Sequence, residues 1–133
     1  MIDNIVKAYY TKAGSYTENV DGIAIIKVSN VTLKGVTIQE DLIIAEGVGQ
    51  GDVTLDSVIV KGNTVVRGGG ENSVHIVGTS SLSRITIEKI DGKLRIAISD
   101  GNLVQEIEVA DGEEIIVTGI VGSLDIAASN AIV

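Results

Sequence analysis

His75 is the single histidine of the chain, set in the triplet Val74-His75-Ile76. Strand alternation would turn its imidazole outward between two inward aliphatic residues. An outward imidazole is a candidate for proton transfer when a second group orients it. Carboxylates come in pairs, at Glu40/Asp41, Asp52/Asp56 and Glu113/Glu114. Such pairs supply the oxygen ligands that Ca²⁺ prefers. A basic residue beside such a cluster could take a proton, and Arg95 is expected beside His75 on the same outward ladder. His75, however, has no orienting carboxylate on its own strand. An outward histidine without that partner reads as a surface residue, and the acidic pairs read as solvated corners that discourage edge-to-edge aggregation.

The elements that would carry these residues come from an internal repeat, the first thing to seek in a chain of this kind. Val31-Thr32-Leu33 returns as Val53-Thr54-Leu55, Val74-His75-Ile76, Leu94-Arg95-Ile96 and Ile115-Ile116-Val117. The starts are 22, 21, 20 and 21 residues apart. A second row follows in two coils, Val36-Thr37-Ile38 and Val58-Ile59-Val60. A third row is Leu42-Ile43-Ile44, Thr64-Val65-Val66, Ile85-Thr86-Ile87 and Ile107-Glu108-Val109, and it slips by two residues relative to the coil of Leu94. Each triplet reads inward, outward, inward. Like residues then stack on like, and the outward ones form their own ladder: Thr32, Thr54, His75, Arg95 and Ile116. The apolar outward residues Ile43, Val65 and Ile59 make a candidate patch for glycan or protein recognition.

Three brief strands per period of about 21 residues predict an all-β, single-stranded parallel β-helix of about five coils. At ~4.8 Å per coil this is a rod roughly 24 Å long. The strands are too short and too close for βαβ crossovers, and no leucine-rich-repeat asparagine is found. Parallel β-helices with coils of this size are mostly right-handed, so that hand is expected. Two glycine clusters, Gly47/Gly49/Gly51 and Gly68-Gly69-Gly70, precede the strands at 53 and 74. Far from any strand–loop–helix pattern, they are not phosphate loops. They are expected to be sharp turns requiring positive φ, with Asp91-Gly92, Asp100-Gly101 and Asp111-Gly112 as later versions.

Composition agrees. Of 133 residues, 44% are hydrophobic, nearly all of them Val, Ile, Leu and Ala, with three Tyr, one Met and no Phe or Trp. A core of largely β-branched residues suits a narrow, repetitive interior of strands. The net charge of −8 argues against nucleic acid, which a basic face would bind. No stretch approaches a membrane helix, so no membrane insertion is expected. The absence of cysteine excludes disulfides, thiolate nucleophiles and cysteine zinc sites. After Arg95 the chain has no Lys or Arg but seven acids, Asp100 to Asp125. That acidic end keeps the chain soluble or steers a cation or a partner.

Residues 1–20 lie outside the repeat and hold all three tyrosines, Tyr9, Tyr10 and Tyr16. Ile2, Ile5, Val6 and Tyr9 have helical spacing. The open end of a solenoid exposes core and unpaired edges, so residues 1–20 are expected to cap residues 21–133 as a helix or an irregular strand. At the other end Ala131-Ile132-Val133 follows without a polar cap, which fits a trimmed chain or contact with another one. The start lacks a signal peptide, so the chain reads as cytosolic or as part of a longer secreted protein.

The run from Val31 to Leu55, continued by Gly68-Gly69-Gly70-Glu71-Asn72-Ser73-Val74-His75-Ile76, resembles the right-handed β-helix repeats of surface-layer-type cell-surface proteins of Gram-positive bacteria. The resemblance covers residues 20–110. It implies a stalk, spacer or displayed surface in a longer extracellular chain, with other cell-surface components as partners, and it carries over no catalytic residue. The wall-binding domains of those proteins are not in this sequence. Gly122-Ser123-Leu124-Asp125-Ile126 resembles the short Gly-rich repeats of bactofilins, whose coil is shorter. That implies the alternative of end-to-end self-assembly, as in strand addition. Parallel β-helices also form pectate lyases, but five short coils lack the loops that build a lyase groove, and no aromatic platform lies along the rod. Neither an EF-hand loop nor the nonapeptide of calcium-loaded β-rolls is matched. The expectation is a non-catalytic module without cofactor or metal.

Overall fold

Aliphatic residues at alternate positions, punctuated by Gly, Asn, Asp and Ser, fit a pleated surface buried on one face. The computed structural model describes residues 6–49, 51–70, 74–88, 93–99, 101–111, 114–119, 123–126 and 131–132. In chain order the strands begin with β1 (Val6–Tyr10), β2 (Gly14–Tyr16), β3 (Ile23–Ile26), β4 (Val31–Lys34) and β5 (Thr37–Ile38). Next come β6 (Leu42–Ile44), β7 (Val53–Asp56), β8 (Ile59–Val66), β9 (His75–Val77) and β10 (Ser81–Glu88). The last are β11 (Lys93–Ile98), β12 (Leu103–Asp111), β13 (Glu114–Thr118), β14 (Ser123–Ile126) and β15 (Ala131–Ile132). A 3-10 turn at Glu46–Val48 is the only helical element among the described residues.

Two parallel sheets face each other across the core. The first runs β1-β3-β6-β8-β10-β12-β14, with β5 paired to β8, and the second runs β2-β4-β7-β9-β11-β13-β15. The chain passes from one to the other and back, so the architecture is an all-β solenoid of about five turns spaced about 21 residues apart. Its interior is the aliphatic stack anticipated from the repeat: Leu33, Leu55, Ile76, Ile44, Ile87 and Ile107 are fully buried. Each such side chain contributes about 1.5–3 kcal/mol relative to exposure.

The third row keeps its expected register, with Leu42 beside Thr64, Thr64 beside Ile85, and Ile85 beside Ile107. The first row departs from it at one step. Leu33, Leu55, Ile76 and Ile98 are successive partners, so Ile98 rather than Ile96 lies over Ile76. A slip of two leaves every inward residue inward, so alternation alone does not detect it. Connection length does. Ile44 to Leu55, Val66 to Ile76 and Ile87 to Ile98 span 11, 10 and 11 residues, whereas the expected register would have allowed nine for the last.

The second row is longer than its two aliphatic copies suggest. Val60 partners Leu82, and Leu82 partners Val104. Its inward companions change from Val36 and Val58 to Ser80 and Asn102, and there the chain turns through a polar corner. The Ser80 hydroxyl accepts from Val58 N at 2.9 Å and lies 3.1 Å from the Val77 carbonyl. Ser80 N donates to Asn102 Oδ1 at 2.6 Å, and Asn102 Nδ2 donates to the Ser99 carbonyl at 2.8 Å. On this same edge Gly35, Ser57 and Gly78 all have positive φ, +65°, +56° and +74°.

The opposite edge is a glycine corner. Gly49 and Gly69, at φ +62° and +117°, take the conformation expected of them. Gly68 does not require it. A Cβ there would meet the Ala45 carbonyl oxygen and come within 3.0 Å of Val48 Cβ, so this glycine permits close stacking of one loop on the next. Gly69 N donates to Gly49 O at 2.7 Å across the same stack. Gly92 and Gly112 lie outside the described residues.

Within residues 1–20, β1 pairs in parallel with β3 and β2 with β4. The helical spacing through Val6 and Tyr9 forms strand instead, because both sheets offer an edge to pair with. β1 is irregular, with a register shift between Val6 and Ala8. Ile2 and Ile5 lie outside the described residues.

Candidate functional site

Two outward faces carry the residues singled out in the sequence. On the second sheet the ladder runs Ser15, Thr32, Thr54, His75, Ala97 and Thr118. Thr32, Thr54 and His75 are therefore adjacent, as expected. Arg95 is not their neighbour. It lies two residues before Ala97 and partners Ile116, a direct result of the 22-residue step from His75 to Ala97. The His75 ladder neighbours are Thr54 and Ala97, and neither brings a carboxylate to orient the imidazole. Asp56, farther along the same sheet, accepts from the Ser57 hydroxyl at 3.1 Å.

On the first sheet, Ile43 and Val65 are partners, and the ladder extends to Tyr9 and Ile25 on one side and to Thr86 and Glu108 on the other. Tyr9 is 56% exposed, with Lys27 Nζ 5.2 Å from its ring centroid. Ile59 belongs to a separate ladder with Thr37, Ser81 and Leu103. Its exposure of 42% and that of Leu103, 53%, make this second ladder the more open apolar one. Sequence reasoning missed Leu103, because its coil has Asn102 where the earlier copies have valine.

Farther along the first sheet the apolar ladder gives way to charge. Arg84 Nη2 lies 3.1 Å from both carboxylate oxygens of Glu106, and Nη1 lies 3.9 Å from Glu108. Arg67 Nε donates to Glu88 at 3.0 Å. These pairs are roughly half exposed, so each contributes about 0–1 kcal/mol and mainly fixes side-chain order.

The acidic corners are partly committed to backbone. Asp41 Oδ1 accepts from Asn63 N at 2.9 Å, tying one corner to the next. Among the described residues, no three His, Cys, Asp or Glu side chains converge as metal ligands. Glu113, half of the last acidic pair, lies outside them. No helix of the described residues is long and apolar enough to cross a membrane.

What fold and faces together define is a parallel β-solenoid with differentiated outer ladders. No family model, curated protein or solved structure matches the chain.

Proposed function

We propose that this chain is a non-catalytic structural or display module, a stalk or spacer within a longer bacterial cell-surface protein of the Gram-positive surface-layer type. The observation that supports this reading is the continuity of the stack. Leu33, Leu55, Ile76 and Ile98 remain in register through successive turns, so the buried residues serve one uninterrupted rod. A rod extends by about 4.8 Å per turn and holds its outer residues at fixed spacing, which suits separation or display. The lack of a carboxylate beside His75 on its ladder favours this reading over proton-transfer chemistry. In this reading the chain acts outside the cell, and its partners are other cell-surface components.

A second reading is end-to-end self-assembly into filaments. Favouring it, β1 and β2 each have a single strand neighbour among the described residues, an arrangement that strand addition by a second copy would complete. Sedimentation over a wide concentration range, with negative-stain imaging of the most concentrated sample, separates the two. A monomer throughout is the result expected of the spacer. Growth into dimers or filaments would overturn it in favour of assembly.

A further inference from the structure

Tyr9, Tyr10 and Tyr16 are the only aromatic residues of the chain, and two of them meet at the first turn of the rod. The Tyr10 and Tyr16 ring centroids are 4.8 Å apart, with the planes inclined at 55°. They line a cavity of about 360 Å³ whose polar members include Lys7, Glu18, Asn19 and Asp21. Small-molecule clefts span about 300–1,000 Å³, so this one has room for a compact ligand.

Several of its members are held in place before any ligand arrives. The Tyr16 hydroxyl donates to the Lys12 carbonyl at 2.6 Å, which fixes the ring. Asn19 Oδ1 accepts from Thr37 N at 2.9 Å, which leaves the side-chain NH₂ to donate elsewhere. Tyr10 is only 7% exposed. Its phenol makes no hydrogen bond to another described residue. Burial, then the nearby Tyr16 and Glu18, raise its pKa above the ordinary 10.0, so the hydroxyl stays a neutral donor well into alkaline conditions.

The balance of charge selects the ligand class. Lys7 stands against two carboxylates, Glu18 and Asp21, so the lining carries one net negative charge and disfavours an anionic ligand. Both donors and acceptors are present, beside an aromatic ring that can cover an apolar face. A sugar ring has those complements: hydroxyls that donate and accept around the rim, and C–H bonds on its faces. We propose that this cavity binds a neutral saccharide unit, stacked on Tyr16 and hydrogen-bonded by Glu18, Asn19 and Asp21. This goes beyond a spacer role by giving one end of the rod a recognition site.

The chain has no tryptophan, so its intrinsic fluorescence comes from tyrosine alone and reports on this end of the molecule. Glucose, galactose and N-acetylglucosamine, titrated separately, are the probes. At least one is expected to give a saturable change with a Kd in the millimolar range, about −4 kcal/mol. Tyr16→Ala and Asp21→Asn should each weaken it roughly tenfold. Tyr16→Phe, which keeps the ring but loses its bond to Lys12, should weaken it less than Tyr16→Ala, Tyr9→Ala should preserve it, and circular dichroism confirms that each variant folds. No saturable response to any of the three sugars would overturn the proposal. So would an affinity unaffected by Tyr16→Ala in a folded protein, or an equal response to choline chloride, which would mark a cation site. A monomeric rod that binds none of these sugars would still leave the spacer reading standing.

Discussion

The glycine corner and the serine–asparagine corner meet the same demand by opposite means. At each, backbone leaves the two sheets and must stack on the turn below without losing its hydrogen bonds. The glycine corner removes side chains, so that loops approach until Gly69 N reaches Gly49 O at 2.7 Å. The serine–asparagine corner adds side chains, and Ser80 and Asn102 supply the donors and acceptors that backbone alone does not. The first depends on an absence of atoms and resists any addition. The second depends on particular atoms and resists their removal. A buried stack of turns is therefore specified at its edges as closely as in its aliphatic centre.

The largest test of this contrast is Gly68→Val. The new side chain would drive apart the loops at Ala45 and Val48, and urea denaturation should show a loss of about 3 kcal/mol or an unfolded protein. A loss below about 1 kcal/mol would mean that this corner is not close-packed. Next is Asn102→Ala, which takes the acceptor from Ser80 N and should cost about 1–3 kcal/mol. Asn102→Asp keeps that acceptor but sets a carboxylate oxygen against the Ser99 carbonyl, and should recover only part of the loss in the same denaturation measurement. Thr64 uses neither device, since its hydroxyl is buried with no hydrogen-bond partner among the described residues. Thr64→Val should accordingly raise stability by about 1 kcal/mol, in the same assay. The smallest effect is at the surface, where Arg84→Ala breaks the pair with Glu106 and should cost less than about 1 kcal/mol, shrinking further in high salt.

How much was legible in the sequence follows the same division. The third row reads correctly from Leu42 to Ile107 because its inward positions recur after 22, 21 and 22 residues with one break in character, Thr64. The first row was misaligned at Leu94, since Leu94, Ile96 and Ile98 are interchangeable to any argument from alternation. The second row was lost after Val60 because Ser80 and Asn102 disguise an inward corner position as a loop. Both failures come from corners, where hydrogen bonding and close approach act on backbone and leave little trace in a hydrophobic pattern. The candidate surface was legible in pieces. Thr32, Thr54 and His75 share a ladder, as do Ile43 and Val65, but Arg95 and Ile59 belong elsewhere. The tyrosine-lined cavity was not legible, since its members come from β1, β2 and the turn after β2 and meet only once both strands have joined their sheets.

The stacking also has a mechanical meaning. Hydrogen bonds between turns run along the rod, so a pull on the chain ends loads them one turn at a time instead of shearing many at once. Such a rod would yield by peeling, each released turn of 21 or 22 residues lengthening the tether by about 70 Å. The early turns are shorter, with Gly14 to Val31 spanning 17 residues and Ala24 to Leu42 spanning 18. Those turns would give steps of only about 60 Å. Under force, the molecule would pay out its length in increments whose size marks the end from which it is unravelling.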